Sequence, residues 1–225
     1  DNIKRSVLFL LPTNGGEGLA IVTAVLVGMQ LPITPVQILW VNMITAATLG
    51  LSLAFEPGDP GVMRRPPRPP NEPLVSLALV RRIVLVALLM LFGTFGFYGA
   101  LREAGVELEL ARTAAVNALV LFEVFYLFSA RLLNRRLRHV RELGGNRVAW
   151  LSIAIVIGLQ LLFTYSPWMQ LLFGTAAMPG WYWAVLVPLA AGVVLVVELE
   201  KVVLDRRRGG RSGDSPREQS HEAPG

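Results

Sequence analysis

The stretch Ile83-Val-Leu-Val-Ala-Leu-Leu-Met-Leu-Phe-Gly-Thr-Phe-Gly-Phe-Tyr-Gly-Ala-Leu101 carries no charge, and Arg81-Arg82 and Arg102-Glu103 bracket it. A helix rises about 1.5 Å per residue, so a run of this length crosses most of a hydrocarbon core about 30 Å thick. Working outward from it, apolar segments of near-spanning length lie at 6–28 and 35–55 before it, and at 113–130, 148–165 and 181–197 after it. The composition agrees. Hydrophobic residues make up 53% of the chain and charged residues 16%, against about 25% charged in an ordinary globular protein, and the mean hydropathy is +0.53. The expected architecture is an all-α membrane protein with six transmembrane helices in one domain over residues 1–204. Residues 205–225, basic, polar and poor in apolar side chains, are expected to form a disordered tail.

The net charge of +5 and the isoelectric point near 10.2 raise the question of nucleic acid. The positions of the charges exclude it, because they fall between the apolar runs and form no basic face with interleaved aromatics. Numbering the flanks alternately puts Lys4 and Arg5 on one side, with Arg64, Arg65, Arg68, Arg81 and Arg82. The same side holds Arg131, Arg135, Arg136, Arg138, Arg141 and Arg147, then Lys201 and the arginines from Arg206 to Arg217. The other side holds only Arg102 and Arg112. The positive-inside rule then places both termini in the cytoplasm of a multi-pass protein of the plasma (inner) membrane, with the lipid bilayer as its solvent. Trp168, Trp181, Tyr182 and Trp183 cluster near the last outer loop, where interfacial aromatics belong.

The segments are separated by recognisable breaks. Gln30-Leu-Pro-Ile-Thr-Pro35 is a tight turn that makes a hairpin of the first two spans, and Glu56 to Pro73 is a Pro/Gly/Arg-rich extended connector. No internal repeat of the inverted-transporter kind stands out. The chain has no cysteine, hence no disulfide and no thiolate ligand. Its two histidines, His139 and His221, have no metal-ligand neighbour at helical spacing. It opens on Asp1-Asn-Ile-Lys-Arg without an initiator Met or a secretory signal, as a piece cut from something longer would.

Two carboxyl groups, Glu17 and Glu123, sit inside apolar segments, where a charge costs about 2.5–3.5 kcal/mol on the insertion scale. Asn14 and Glu17 are three residues apart and share a helix face, and Pro12 and Gly15-Gly16 around them favour a loosened helix with freed carbonyls. Asn42 and Thr45 repeat the spacing on the second span, and Tyr126 shares a face with Glu123. Oxygen-bearing side chains on three helices suit a hard cation such as Na⁺, K⁺, Ca²⁺ or Mg²⁺. The competing reading is structural: Asn and Thr often bond one helix to the next, and Gln37, Asn117 and Gln160 are expected to do only that.

At these residues the chain resembles a known family. Asp1-Asn-Ile-Lys-Arg, Thr13-Asn-Gly-Gly-Glu-Gly18, Pro35-Val-Gln-Ile-Leu-Trp-Val-Asn-Met-Ile-Thr45, Phe55-Glu-Pro57 and Met63-Arg-Arg-Pro-Pro-Arg68 are similar to the C-terminal membrane half of P-type cation-transporting ATPases. Phe173-Gly-Thr175 and Val197-Glu-Leu-Glu-Lys201 continue the likeness, which covers residues 1–204 and is closest to the calcium and sodium/potassium branch. The resemblance implies that the six helices are the fifth to tenth of a ten-helix pump. It implies transported-cation ligands at Asn14, Glu17, Asn42, Thr45 and Glu123, a partial site for Ca²⁺, Na⁺ or K⁺. The family's sixth-helix motif usually continues Asn-x-x-Thr-Asp, whereas here Ala46 follows Thr45, which removes one carboxylate and resembles a bacterial subset.

The phosphorylated Asp-Lys-Thr-Gly-Thr loop, the Pro-Glu-Gly-Leu cation motif and a nucleotide domain do not occur in these 225 residues. The expectation is therefore a fragment of an ATP-driven cation pump with no catalytic residue of its own. ATP and Mg²⁺ would enter only in the complete P-type ATPase, with the N-terminal half of the pump as partner in the same or a separate chain. The alternatives are a truncated, non-catalytic membrane remnant or accessory protein, and a stand-alone ion channel or carrier.

Overall fold

The computed structural model describes residues 2–57, 77–132 and 146–211, with side chains as far as Leu204. The helices are α1 (Asn2–Val27), α2 (Pro35–Thr45), α3 (Leu77–Glu103), α4 (Leu108–Arg131), α5 (Arg147–Tyr165), α6 (Pro167–Phe173) and α7 (Trp181–Arg211). A π-helical turn (Ala46–Gly50) and a 3₁₀ turn (Leu53–Phe55) prolong α2, and no strand occurs among the described residues. Six of these helical stretches are long and apolar enough to cross a membrane: α1, α2 with its continuation, α3, α4, α5 and α7. The chain is thus an all-α membrane domain. The Pro-rich connector with Arg64, Arg65 and Arg68, the basic loop with His139, and the tail from 212 with His221 lie outside the described residues.

The first hairpin is written locally. Gly28 adopts a positive φ of 71°, and the N–H groups of Gly28 and Met29 reach back to the carbonyls of Val25 and Ala24, which ends α1 in a Schellman motif. Thr34 then caps α2. Its hydroxyl accepts the Gln37 N–H at 3.3 Å, the Gln37 side chain accepts the Thr34 N–H at 3.0 Å, and Pro35 occupies the first turn.

α4 is the hub of the bundle. In its most apolar stretch 89% of the residues are buried, against 28% to 44% in the other spans, whose outer faces carry exposed Leu, Val, Ile and Phe. Alanines at 111, 114, 115, 118 and 130 keep α4 slim enough for several helices to pack around it. Small residues serve the same end elsewhere. A Cβ at Gly16 would stand 2.9 Å from Met90 Cβ, and one at Gly93 would stand 2.6 Å from the Phe122 ring, so α1 and α4 both press against α3 at glycines.

The end of the bundle where α1 starts and α7 finishes is basic, and its buried charges among the described residues are tied down. Arg131 makes a two-pronged ion pair with Glu56 at 2.9 and 3.2 Å. Asn146 donates to the same carboxylate at 2.8 Å while its side-chain oxygen caps α5 by accepting the Ala149 N–H. Arg81 and Arg82 share Glu200 at 2.9 and 3.0 Å. Lys201 reaches Glu198 at 2.7 Å and the Ser129 carbonyl at 3.2 Å.

These pairs explain where the helices outrun the sequence expectation. α3 begins at Leu77 rather than at residue 83, because Arg81 and Arg82 sit in helical register against α7. α7 runs past 197 through Glu198, Glu200 and Lys201 and on to Arg211, so the first residues of the expected tail are helical.

Two local expectations are corrected. α1 is unbroken through Pro12 and Gly15-Gly16. The glycines serve close approach to α3, and the carbonyl that Pro12 leaves without its helical N–H, that of Leu8, accepts the Tyr126 hydroxyl at 2.8 Å. The irregular turn lies instead in α2, immediately after Asn42 and Thr45, where Thr48 turns its hydroxyl back on the Ile44 carbonyl. Of the aromatic cluster, Trp168 and Trp181 are exposed, whereas Tyr182 is buried edge-on against Phe97. The short helix α6, which starts after Ser166 with Pro167 in its first turn and closes at Gly174, has no counterpart in the sequence reading.

Candidate functional site

Four of the five oxygen-bearing side chains singled out in the sequence converge between α1, α2 and α4. Glu17 is 3% exposed, and its Oε2 accepts the Asn42 amide at 2.6 Å across the α1–α2 hairpin. Glu123, 0% exposed, comes from the hub helix and faces both Glu17 and Thr45. Thr45 is buried, and its hydroxyl donates to the Val41 carbonyl of its own helix at 3.0 Å. Asn14 does not join them. It lies on the exposed face of α1, beyond the hairpin contact that Glu17 makes. Tyr126 is occupied elsewhere, with its hydroxyl on Leu8 and its ring stacked on Phe9 at 6.1 Å.

The electrostatics of this arrangement are lopsided. Glu17 Oε1 and both carboxyl oxygens of Glu123 are buried without a hydrogen-bond donor. Two carboxyl groups facing each other in a low-dielectric interior repel strongly when charged, and burial strips each of the water that would compensate. The buried basic side chains described, Arg5, Arg82, Arg131 and Lys201, are held in the network at the basic end or on their own partners there. What remains is a set of carboxyl, amide and hydroxyl groups gathered between three helices. Such a set fits a hard cation, which takes carboxylate, amide and hydroxyl oxygens together. Among the described residues no three His, Cys, Asp or Glu side chains gather, so a carboxylate-rich or nitrogen-rich metal centre is not part of it.

The irregular turn of α2 belongs to the same place. Ala46, where the resembled family usually carries Asp, opens the π turn one residue after Thr45. A π turn breaks the i−4 ladder, and such turns recur at functional sites. Gly50 closes it, with space for its Cα but little more, since a Cβ there would stand 3.1 Å from Leu10 Cδ2.

The residues expected to join helices divide. Gln37 donates to the Phe173 carbonyl at 3.0 Å, and Asn117 bonds Thr113 and Thr164 at 2.8 and 3.0 Å, fastening the far end of the bundle around α6. Gln160 is buried with both amide atoms unpartnered. Two features were missed in the sequence. Arg131, Glu56 and Asn146 come together from far-separated positions, signalled only by an Arg at the end of an apolar run. Thr94, buried in α3, looks in the sequence like any threonine in a span.

Comparison with known proteins adds a family. Residues 30–203 match the family described as "Cation transporting ATPase, C-terminus". The chain is 41% identical over 203 residues to the "Probable cation-transporting ATPase F" of Mycobacterium tuberculosis, an alignment covering 90% of this chain and 22% of that protein. It is 38% identical over 210 residues to the "Cation-transporting ATPase pma1" of Synechocystis, covering 88% of this chain and 23% of that one. To the "Calcium-transporting ATPase" of Bacillus subtilis it is 29% identical over 192 residues, 85% of this chain and 21% of that protein. The chain therefore spans little more than a fifth of the length of these relatives.

Proposed function

Because the chain belongs to the cation-transporting ATPase C-terminal family, we propose that it is the membrane part of an ATP-driven cation pump and supplies part of the intramembrane cation site. The observation that carries this reading is the set of unpartnered buried oxygens of Glu17 and Glu123, joined by Asn42 and Thr45. Glu17 and Glu123 provide the charge that replaces the cation's hydration, Asn42 orients Glu17, and Thr45 offers a neutral oxygen. Asn14, on the exposed face of α1, completes the shell only when the N-terminal half of the pump covers that face. Ala46 contributes no oxygen, so the set suits a single cation, Ca²⁺, Na⁺ or K⁺.

The catalytic half, with its ATP and Mg²⁺, drives α1 against α2 and α3, and the hairpin bond between Glu17 and Asn42 is the contact that such a movement remakes. α4, with Glu123, stays as the fixed wall. The basic end faces the cytoplasm of the plasma membrane, which puts both termini on the side of the motor. Reading the gene upstream of Asp1 tests the premise: a frame running on into Asp-Lys-Thr-Gly-Thr supports it, and a start codon just before Asp1 with no motor encoded nearby leaves a remnant or accessory protein. In the intact pump, Glu17→Gln is expected to abolish cation-stimulated phosphorylation. Unchanged cation dependence in that variant refutes the role given to Glu17.

A further inference from the structure

The turn between α5 and α7 has the composition of a membrane span. Residues 148–197 contain no Asp, Glu, Lys, Arg or His, so α6 and the residues on either side of it carry no charge. α3 and α5 both start from the basic end, so the turn between α3 and α4 lies at the same end of the bundle as α6. That turn reads Arg102-Glu-Ala-Gly-Val-Glu-Leu-Glu109, with four charges in eight residues. Trp168, Leu171 and Leu172 share one face of α6 at helical spacing, and they are 81%, 80% and 67% exposed. The other face is packed: Met169 and Phe173 rest on the core, and the Phe173 ring tilts against Trp40 and Phe163 with centroids 5.3 Å apart. Exposed apolar side chains continue along the chain in both directions, to Leu161 and Leu162 of α5 and to Trp181 and Val185 of α7.

The backbone of this turn is satisfied in the way a segment out of reach of water requires. The last carbonyls of a helix have no partner within it, and at a wet end water supplies one. In hydrocarbon each must find a donor in the protein. At the end of α5 the Leu162 carbonyl accepts the Ser166 N–H at 2.9 Å, that of Phe163 accepts the Thr175 hydroxyl at 3.2 Å, and that of Thr164 accepts the Gln170 amide at 2.8 Å. Beyond them, the Phe173 carbonyl accepts the Gln37 amide at 3.0 Å, and the Met178 carbonyl accepts the Tyr165 hydroxyl at 2.8 Å. α5 is 19 residues long, about 28 Å, so its end and α6 with it stand at the far boundary of a hydrocarbon core about 30 Å thick.

We infer that α6 is sunk in the leaflet opposite the basic end, with Trp168, Leu171 and Leu172 against the lipid, and does not stand in the water beyond it. An uncharged apolar face that continues the exposed faces of two spanning helices matches the boundary between acyl chains and headgroups, and a tryptophan in its first turn suits that level. The chain has no cysteine, so one can be introduced per variant. The protein is taken in its intact form, with any cysteine outside these 225 residues replaced, and reconstituted in lipid nanodiscs. A nitroxide is attached at Leu171→Cys or Leu172→Cys, and its collisions with O₂, which concentrates in lipid, are compared with those of a nickel chelate, which stays in water. Val185→Cys on the exposed face of α7 gives the lipid reference, and Ala104→Cys, exposed in the charged turn, gives the water reference. At both α6 positions the ratio of O₂ to nickel collisions is expected to exceed that of Ala104→Cys severalfold and to lie nearer that of Val185→Cys. A ratio nearer that of Ala104→Cys overturns the inference by placing α6 in water. Shielding from both reagents overturns it as well, because a protein surface then covers the face. Neither outcome depends on the cation reading above.

Discussion

Removing one hydroxyl, in Tyr126→Phe, tests how this bundle tolerates a proline in the middle of a span. Pro12 has no N–H to give the Leu8 carbonyl, and the Tyr126 hydroxyl supplies the missing donor at 2.8 Å from a side chain that is fully buried. Phenylalanine keeps the ring and its stacking on Phe9, so the variant isolates the hydrogen bond. An ordinary interhelical bond in a membrane protein is worth about 0.6 kcal/mol, since the unfolded state finds other partners. Here the loss also orphans a buried carbonyl, a penalty of about 1–3 kcal/mol. A destabilisation of about 1.5 kcal/mol is expected between these limits, read as equilibrium unfolding in mixed micelles. The decisive measurement is the cycle with Pro12→Ala. Alanine restores the helical N–H to Leu8, so Tyr126→Phe in that background should cost less than about 0.5 kcal/mol, a coupling of about 1 kcal/mol. Equal costs in the two backgrounds refute the account of Tyr126 as the replacement donor for Pro12.

Three neighbouring glycines of α1 should respond in opposite directions to alanine. Gly16→Ala drives a Cβ to 2.9 Å from Met90 Cβ and should destabilise by about 1–3 kcal/mol. Gly15→Ala, whose Cβ meets Ala87 at an ordinary 3.6 Å, and Gly18→Ala, with nothing within 4 Å, should be neutral or gain up to about 1 kcal/mol from helix propensity. Thermal unfolding of the three single variants in nanodiscs decides this, and a uniform response sinks the close-approach argument. At the basic end, Arg131→Ala leaves the Glu56 carboxylate facing a buried gap and should cost about 3–5 kcal/mol. Adding Glu56→Ala to Arg131→Ala should recover part of that loss, and strictly additive costs refute the pairing as the source.

Much of the fold was legible because a bilayer is an unforgiving solvent. Each span had to be a helix to satisfy its own backbone, and twenty apolar residues between charged flanks leave little choice of place. The parts that escaped are those in which polar side chains find one another. Arg81 and Arg82 read as the edge of a span, yet they are inside α3 because Glu200 waits opposite them on α7, more than a hundred residues later. α6 escaped for a different reason. Its seven residues, Pro167 to Phe173, are too few for a helical period to register, and only Ser166-Pro167 and Gly174 mark its ends.

The site shows the same division on a finer scale. Three-residue spacing placed Asn14 beside Glu17 and Asn42 beside Thr45, since spacing fixes which residues share a helix face. It says nothing about where the boundary of burial falls across that face. On α1 the boundary runs between the two: Glu17 turns toward α2 and α4, and Asn14 turns outward. On α2 it does not, because the face of Asn42 and Thr45 looks into the hairpin and the hub together. Proline and glycine were equally ambiguous from sequence. Pro12 signals a freed carbonyl, but whether that carbonyl waits for a cation or is taken by a hydroxyl depends on Tyr126 arriving from another helix. Glycine signals either a loosened turn or a close approach, and Met90 against Gly16 chooses the second. Residue types thus announced that α1 had something to satisfy, and only the partners on α2, α3 and α4 determined which needs were met inside the bundle. Those left unmet, on Glu17 and Glu123, are the ones on which the proposed cation site rests.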